Sequence, residues 1–306
     1  MTTAIAFIGL GHMGCPMAAR LAAAGHRVLG FDLVPEALAT AAAAGVETAD
    51  PARAAAAGAD VVITMLPAGR HVLALYQDEG LLAAARPGTL FIDCSTIDVA
   101  DARAAHDAAV AAGHRALDAP VSGGVMGAEA ATLTFMAGGG ETEFAEAEPL
   151  LAAMGKRAVH CGGAGAGQAA KICNNMILGI SMIAVSEAFV LGESLGLSHQ
   201  ALYDVASAAS GQCWALTTNC PVPGPVPTSP ANRDYRPGFA APLMAKDLGL
   251  AAAALRAGGI DTGLGLRAAE MFAAFADGAG AAQDFSGIVH VLRDTAASAP
   301  KGTTTA

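Results

Sequence analysis

The feature that most constrains the fold is a set of three glycines, at positions 9, 11 and 14, where a short aliphatic run meets an alanine-rich stretch. The run Ala4–Gly9 predicts a strand, and Met13–Ala24 predicts a helix. Gly9 would permit a tight turn, Gly11 would let a ligand approach the backbone, and Gly14 would let the helix pack closely on the strand. The start of such a helix offers free N–H groups and a positive dipole end to phosphate groups.

The rest of the first half repeats this alternation of strand and helix. Helical patterns such as Pro35–Ala44 and Ile97–Ala112 separate short β-branched or aliphatic runs. Those runs predict further strands at Arg27–Phe31, Asp60–Leu66, Leu90–Cys94, Ala116–Asp118 and Thr132–Ala137. Together with the glycine turn, the alternation predicts an α/β fold with an N-terminal Rossmann-type sheet, mostly parallel, doubly wound and covered by helices on both faces.

The pattern changes after the glycine-rich stretch 162–167, beyond which we find no convincing strand. Residues 168–197 predict one helix of about 45 Å that is apolar on most sides and is therefore expected to be buried. Shorter helices are predicted at His199–Ala209, Pro242–Ala257, Gly265–Phe275 and Phe285–Arg293. We therefore expect a dinucleotide-binding domain over residues 1–163 and an all-helical domain for substrate binding and oligomerisation over residues 164–306.

Composition argues against several classes of partner. The 27 acidic and 17 basic residues give a formal net charge of −10, which repels nucleic acid and anionic membranes. The apolar run Met176–Val185 is shorter than the roughly 20 residues that a bilayer span needs. The six cysteines include no C-x-x-C pair, which favours reduced thiols in a cytoplasmic protein. His12 and Cys15 have ligand-like spacing but no second pair, so we expect no bound metal.

A dinucleotide cofactor is indicated by the glycine motif together with a carboxylate. The motif G-x-G-x-x-G consists of Gly9, Leu10, Gly11, His12, Met13 and Gly14. Asp32 ends the second predicted strand, where it can accept hydrogen bonds from both ribose hydroxyls and would repel a 2′-phosphate. Residues 33–35 include no arginine to accept that phosphate, so NAD is favoured over NADP. The alternative is an ordinary glycine-rich turn beside an unrelated helix-capping aspartate.

Other residues at the ends of the predicted strands would line the nicotinamide half of the cofactor. Ligands of doubly wound sheets lie beyond the C-terminal ends of the strands. In this chain those ends carry Leu66, Pro67 and Thr96. Each of them is also a plausible turn residue with no further role.

The chemistry is indicated by Lys171, with Asn174 and Asn175 on its side of the predicted long helix. Polar side chains at the start of an apolar helix are costly unless they face a ligand or each other. A helix N-terminus disfavours an ammonium group and should lower the pKa of Lys171. Neutral Lys171 could then take a hydroxyl proton while hydride leaves for the nicotinamide. A helix start whose polar groups meet solvent is the equally weighted alternative.

Two further groups could contact ligands. Ser122, Gly123 and Gly124 could hold a substrate carboxylate, because adjacent N–H groups form an anion nest, although a capped turn would have the same composition. The pair formed by Lys246 and Asp247 near a helix start is either a ligand contact or a solvated ion pair. Trp214 is expected to lie in the core, since tryptophan is highly buried on average.

Taken together, these residues resemble the β-hydroxyacid dehydrogenase family, and within it most closely the 3-hydroxyisobutyrate dehydrogenases. A weaker match lies at residues 285–286. The matching stretches, which follow the family's order and spacing almost end to end, are Phe7–Pro16, Asp118–Gly124, Gly165–Asn175, Gly211–Trp214, Pro221–Gly224 and Leu243–Ala251.

The resemblance implies a Rossmann domain, a helical domain and an active site in the cleft between them. It implies that Lys171 is the catalytic residue, that Asn175 contacts substrate and that Lys246 contacts the cofactor. The substrate carboxylate would lie near residues 122–124. The implied reaction is the NAD-dependent oxidation of 3-hydroxyisobutyrate to methylmalonate semialdehyde in valine breakdown. The implied assembly is a homodimer or homotetramer.

Some positions depart from the family pattern, but none of them is a proposed catalytic position. His12 and Arg20 stand where the family often has asparagine, and Ala131 where it often has glycine. The resemblance also leaves other activities open. Reductases of tartronate semialdehyde or succinate semialdehyde share the expected fold and lysine. A noncatalytic NAD-binding sensor would need Asp32 and the glycines, but not Lys171 with Asn175.

Overall fold

The computed structural model describes residues 2–298, so the tail at 301–306, expected to be solvated, lies outside the described residues. The strands are β1 Ala4–Ile8, β2 Arg27–Phe31, β3 Glu47–Thr48, β4 Val61–Thr64, β5 Leu90–Asp93, β6 Arg115–Asp118, β7 Val121–Ser122, β8 Leu133–Gly139 and β9 Gly155–Gly162.

Helices of varied length connect these strands and make up the second half of the chain. Two 3₁₀ helices cover Pro230–Arg233 and Phe285–Gly287. The α-helices are α1 Gly14–Ala23, α2 Pro35–Ala43, α3 Ala52–Ala56, α4 Gly69–Gln77, α5 Leu81–Ala84, α6 Val99–Ala111, α7 Gly124–Glu129, α8 Glu141–Met154, α9 Ala166–Ser194, α10 His199–Ala208, α11 Trp214–Thr217, α12 Ala241–Ala257, α13 Gly263–Asp277 and α14 Ile288–Ser298.

The sheet confirms the predicted Rossmann-type architecture. Its strands run in the order β3-β2-β1-β4-β5-β6, all parallel, followed by β8 and β7, and β9 pairs with β8. Strands β8 and β9 break the parallel pattern, because β8 is antiparallel to β6 and β7 and β9 is parallel to β8. The register places Thr64, Asp93 and Asp118 side by side on β4, β5 and β6. These three side chains therefore lie at the C-terminal edge of the sheet, where ligands of such folds bind.

Both faces of the sheet carry a hydrophobic core, as expected of a doubly wound fold. Side chains alternate along a strand, so Ile5 and Phe7 of β1 join one cluster, whereas Ala6 and Ile8 join the other. Every strand predicted from the first half is present, with ends that differ by at most two residues. Strand β9 was not predicted, because it is a partly exposed edge strand of mixed composition.

The chain divides into two compact units, Met1–Lys171 and Ile172–Ala306. The boundary lies inside α9, so the first turns of this helix belong with the sheet. The division that we expect between residues 163 and 164 stays a prediction. Within the described part of the second unit, helices are joined by irregular segments with a single isolated β-bridge between Ala240 and Asp284.

Helix α9 spans 29 residues, or about 44 Å, in agreement with the predicted long helix. The expectation that it is buried on most sides is wrong. Met182 and Phe189 are buried in the core of the second unit, but Ile177 is 64 % exposed and Leu191 is 59 % exposed. By length and hydropathy alone, α9 is the one described helix that could cross a bilayer, a test that the core helix of a soluble protein also passes.

Residues 221–230, which include five prolines, form an ordered segment of the second unit. Val222 and Val226 are buried in its core, and the Tyr235 hydroxyl donates to the carbonyl of Pro221 at 2.8 Å. Asp284 accepts from the backbone N–H groups of Gly238 and Phe239, both at 2.9 Å. These bonds fix the segment after the prolines, so a rigid packing role accounts for its composition.

Candidate active site

The three glycines meet different surroundings. Gly9 has φ +96°, and a Cβ atom added there would lie 2.3 Å from the carbonyl oxygen of Met65. A Cβ atom on Gly14 would lie 1.8 Å from the carbonyl oxygen of Gly9. A Cβ atom on Gly11 would meet nothing within 4 Å among the described residues. The fold itself therefore requires glycine at 9 and 14, whereas Gly11 faces open space in which a ligand could approach the backbone.

The residues between these glycines can offer mainly backbone groups to a ligand. Leu10 is 2 % exposed and Met13 packs against the core of the sheet, whereas His12 is exposed. Among the described residues, no side chain caps the N-terminus of α1, and its first turn carries no acidic residue. This helix start can therefore receive a phosphate group without displacing an internal partner.

Asp32 is tied to the glycine turn. Its Oδ2 accepts from the backbone N–H of Leu10 at 2.7 Å, and its Oδ1 accepts from that of Val34 at 2.8 Å. The second bond stabilises the turn before α2, but no side chain caps that helix, so the helix-capping alternative for Asp32 is wrong. The first bond links the carboxylate to the cofactor motif. A carboxylate accepts about four hydrogen bonds, so the half-buried Asp32 retains capacity for two hydroxyl donors.

A buried hydrogen-bond cluster supports the loops after β4 and β5. Asp93 Oδ1 accepts from the hydroxyls of Thr64 at 2.7 Å and Ser95 at 2.6 Å. The hydroxyl of Ser95 in turn accepts from the backbone N–H of Leu66 at 2.8 Å. Leu66 and Thr96 are half-buried and Pro67 is exposed. The three residues expected to line the nicotinamide half thus lie on loops that share one hydrogen-bond cluster.

The other oxygen of Asp93 is unusual. Asp93 Oδ2 has no hydrogen-bond partner among the described residues, and Asp93 lines a cavity of about 10 Å³ together with Tyr76 and Asp118. Burial raises the pKa of the Asp93 carboxyl to about 6, although the bonds from Ser95 and Thr64 act in the opposite direction. This carboxyl therefore resists ionisation more than an exposed aspartate does.

Lys171 occupies the second turn of α9, not its first residue. The helix begins at Ala166, and Lys171 is 6 % exposed. Asp118 accepts from the backbone N–H of Gly165 at 2.7 Å and from that of Gln168 at 2.8 Å. Because a carboxylate caps the helix start and the dipole acts within the first turn, the argument that the dipole deprotonates Lys171 is wrong.

Ser122 to Gly124 form the turn from β7 into α7. Gly123 has φ +138° and Gly124 has φ +63°, conformations that suit glycine. Gly123 is exposed, whereas Ser122 and Gly124 are half-buried. The turn thus presents backbone groups and one hydroxyl at the surface of the first unit, as a carboxylate-binding loop requires.

In the second unit, Asn175 is buried and hydrogen-bonds to two polar neighbours. The Asn175 side chain, 1 % exposed, donates from Nδ2 to Asp247 Oδ2 at 2.5 Å and accepts from Asn174 at 3.0 Å. Lys246 Nζ lies 3.5 Å from Asp247 Oδ1. Asp247 is 4 % exposed, so the Lys246 and Asp247 pair is not simply a solvated ion pair. Trp214, expected in the core, is 51 % exposed, so that expectation is wrong.

Sequence reasoning did not assign Asp93, Ser95 and Gln168 to the hydrogen-bond network at the C-terminal edge of the sheet. Asp93 and Ser95 flank the end of a predicted strand, and Gln168 lies inside the stretch that resembles the family motif. The sequence signal that could have found them is that they are polar residues at positions that the sheet and the helix bury. Among the described residues, no group of three or more histidine, cysteine, aspartate and glutamate side chains could hold a metal ion.

Two family profiles together match nearly the whole chain. Residues 4–163 match the NAD binding domain of 6-phosphogluconate dehydrogenase, and residues 165–292 match the NAD-binding region of NADP-dependent 3-hydroxyisobutyrate dehydrogenase. A probable 3-hydroxyisobutyrate dehydrogenase of Mycobacterium tuberculosis is 58 % identical over 291 residues, which are 95 % of this chain and 98 % of the relative. The chain belongs to the 3-hydroxyisobutyrate dehydrogenase family.

L-Serine appears in the names of two further similar proteins. An NAD-dependent L-serine dehydrogenase of Pseudomonas aeruginosa is 50 % identical over 291 residues, covering 95 % of this chain and 97 % of the relative. A solved structure of Mycobacterium tuberculosis 3-hydroxyisobutyrate dehydrogenase with L-serine superposes with a TM-score of 0.93 at 58 % identity, over 96 % of this chain and 100 % of that chain. The protein is therefore an NAD(P)-dependent 3-hydroxyacid dehydrogenase, and the predicted family, fold and enzyme class are confirmed.

Proposed function

We propose that this enzyme oxidises 3-hydroxyisobutyrate to methylmalonate semialdehyde, with NAD as the hydride acceptor and Lys171 as the general base. The observation that carries the proposal is the placement of Lys171, a buried amine on a helix whose first turn is bonded to the C-terminal ends of the sheet strands. The glycine turn and Asp32 lie at the same edge of the sheet. Oxidation of an alcohol requires a cofactor that accepts hydride and a base that accepts the hydroxyl proton, and this edge of the sheet offers groups for both.

The residues of the first unit fit a dinucleotide. The open space at Gly11 and the uncapped start of α1 would receive the pyrophosphate, and Asp32 would accept the two hydroxyls of the adenosine ribose. Leu66, Pro67 and Thr96 would lie along the nicotinamide, and Lys246 would contact the cofactor as the family resemblance implies. When bound, NAD supplies an electrophilic ring carbon that accepts the hydride.

Asp32 supports NAD in preference to NADP. Its carboxylate is held in place by two backbone amides, so it cannot easily turn away from a 2′-phosphate. The neighbouring Leu33 and Val34 are exposed and offer no positive charge to balance that phosphate. The test is the ratio of kcat/KM for NAD to that for NADP, which should exceed about 100. Equal use of both cofactors would overturn the preference.

In the proposed reaction, neutral Lys171 accepts the proton of the substrate hydroxyl while the carbon that bears this hydroxyl loses hydride to the nicotinamide. The proton remains on the Lys171 Nζ, and the carbon becomes a carbonyl. In the reverse direction, the ammonium of Lys171 donates the proton to the carbonyl oxygen. Ser122, Gly123 and Gly124 would hold the substrate carboxylate, and the amide of Asn175 would donate to the substrate. Asp247 fixes the orientation of that amide by accepting one of its N–H bonds.

L-Serine is the second candidate substrate, because a relative that is 50 % identical carries that activity in its name and the most similar fold described above was solved with L-serine. Both acids carry a carboxylate and a 3-hydroxyl, so the same lysine and the same carboxylate loop would serve them. They differ at C2, where one has a methyl group and the other an ammonium group. Reduction of tartronate semialdehyde or succinate semialdehyde is a further alternative within the family, with a different substrate and the same mechanism.

The test is the initial rate of NADH formation with NAD over a panel of hydroxy acids. The panel contains 3-hydroxyisobutyrate, L-serine, glycerate, 4-hydroxybutyrate and 3-hydroxypropionate. A kcat/KM at least tenfold higher for 3-hydroxyisobutyrate than for L-serine supports the assignment. A reversed preference would move the substrate to L-serine and leave the mechanism intact. No turnover of any acid, with NADH still bound, would favour the sensor alternative.

We also propose that the enzyme is a cytoplasmic homodimer or homotetramer. The exposed stripe of α9, formed by Ile177, Ala184 and Leu191 at intervals of seven residues with Leu195 beyond them, is apolar. Exposed apolar side chains that share one side of a helix are typical of interaction sites in soluble proteins. Light scattering after size-exclusion chromatography should give a mass of two or four chains. A monomer at micromolar concentration would contradict this assembly.

A further inference from the structure

Gln168 makes a pair of hydrogen bonds that enclose Thr96. Its side-chain Nε2 donates to the carbonyl oxygen of Ser95 at 2.7 Å, and its Oε1 accepts from the backbone N–H of Ile97 at 3.1 Å. Gln168 is 0 % exposed. One amide side chain thus satisfies the backbone groups on either side of Thr96 and fixes the conformation of that residue.

The same residue stands one helical turn before Lys171. Residues three apart on an α-helix lie on the same side, about 5–6 Å apart at Cβ. Both Gln168 and Lys171 belong to the first compact unit. The Gln168 side chain therefore fixes the distance between the loop that carries Thr96 and the turn that carries Lys171.

The backbone of this turn cannot shift to compensate for a lost side-chain bond. Asp118 Oδ2 accepts from the Gln168 N–H at 2.8 Å. A Cβ atom on Gly167 would lie 2.2 Å from the carbonyl oxygen of Met136, so β8 packs directly on the helix start. The Asp118 bond and the β8 contact hold the helix, and the Gln168 amide links the helix to the loop after β5.

We propose that Gln168 is a positioning residue, which sets the geometry between Thr96 of the cofactor loop and Lys171. This inference rests on the proposed function, in which Thr96 lines the nicotinamide and Lys171 takes the proton. Hydride transfer and proton transfer occur together, so the rate depends on the placement of both groups. A misplacement of about 1 Å can reduce a rate about 100-fold.

The substitution Gln168→Met tests the proposal, because methionine has nearly the same volume but makes neither hydrogen bond. The matched control is Thr89→Val, which removes a buried hydroxyl at the opposite end of β5, where Thr89 Oγ1 donates to the carbonyl of Arg86 at 2.7 Å. Both variants lose buried hydrogen bonds of the same unit, so both should lower the thermal midpoint. Only Gln168→Met alters the bonds around Thr96.

The measurement is the single-turnover rate of NADH formation at saturating NAD and hydroxy acid, with the concentration of active enzyme set by NADH titration. We expect Gln168→Met to slow this rate 10- to 100-fold, with the NADH dissociation constant changed less than fivefold because the glycine turn and Asp32 are untouched. Thr89→Val should remain within about twofold of the wild type. A Gln168→Met rate within threefold of the wild type, or equal to that of Thr89→Val, would overturn the proposal.

Gln168→Glu provides a second test, which also serves if Gln168→Met fails to fold. A protonated glutamic acid can donate to Ser95 O and accept from Ile97 N–H, whereas the carboxylate can only accept. We expect the rate relative to the wild type to fall as the pH rises and the glutamate ionises. A ratio that does not change with pH would contradict the proposed role. Wild-type enzyme that turns over no acid of the panel would overturn the proposed function itself, and with it this inference.

Discussion

Replacing Asp93 with asparagine should raise the free energy of unfolding at neutral pH and have much less effect in acid. Asp93 is 4 % exposed, and burial raises the pKa of its carboxyl from 3.8 to about 6. The folded state therefore binds this proton more tightly than the unfolded chain does. Stability from this group is fully present below about pH 4 and is lost as the pH rises through about 6.

The size of the effect follows from the size of the pKa shift. One pKa unit corresponds to about 1.4 kcal/mol, so ionised Asp93 costs roughly 3 kcal/mol above about pH 7. About 1 kcal/mol of this cost is already present at pH 4.5, where most unfolded chains carry ionised Asp93. Asparagine is neutral at every pH and keeps an oxygen that can accept from Thr64 and Ser95. The stability difference between Asp93→Asn and wild type should therefore grow by roughly 2 kcal/mol from pH 4.5 to pH 8.

The assay is urea unfolding followed by circular dichroism at pH values between 4.5 and 8, under reducing conditions. Glu47→Gln is the control, because the bond from Arg27 lowers the pKa of Glu47. The stability that Glu47 contributes is present above its ordinary pKa and lost in acid, so its variant should show the opposite trend with pH. An Asp93→Asn difference that stays constant over this range would refute the reasoning about Asp93.

Four further substitutions test the cofactor and substrate groups. Gly14→Ala should unfold the protein or lower its stability by more than about 3 kcal/mol, since the added Cβ would lie 1.8 Å from the carbonyl oxygen of Gly9. Gly11→Ala should keep the melting temperature of the wild type and weaken NADH binding at least tenfold in a fluorescence titration. Asp32→Asn should lower the kcat/KM ratio of NAD to NADP by more than tenfold, and an unchanged ratio would show that Asp32 does not face the ribose. Asp247→Ala should raise the KM for the hydroxy acid more than the KM for NAD, because Asn175 loses the acceptor that orients its amide; equal rises would contradict that role.

The architecture of the first unit was predictable because its signals are local. The aliphatic run of β1, which is buried on both faces of the sheet, and the glycine turn depend on neighbouring residues, so the strands and the helix after Gly14 could be placed from the sequence. The edge strand β9 has no such local signal, because it is partly exposed and mixed in composition. Its strand conformation depends on pairing with β8. The exposed face of α9 was also missed, since an apolar pattern alone does not indicate which of its residues the fold leaves exposed.

The site was predictable only in part. Spacing and resemblance indicate Lys171 and Asn175, but the start of α9 lies five residues earlier than Lys171, and this removes the dipole argument. Asp93 bonds to Thr64, 29 residues away, and Gln168 bonds to Ser95, 73 residues away. Such bonds depend on the tertiary fold, and no local pattern of residues indicates them.

The central claim is that Lys171 transfers the proton during oxidation of the hydroxy acid. The most direct test is kcat for 3-hydroxyisobutyrate oxidation by Lys171→Met, with Lys156→Met, an exposed lysine of β9, as the control. The account predicts that Lys171→Met binds NADH like the wild type and loses at least 1,000-fold in kcat, while Lys156→Met keeps full activity. A Lys171→Met enzyme that turns over within tenfold of the wild type would contradict the claim.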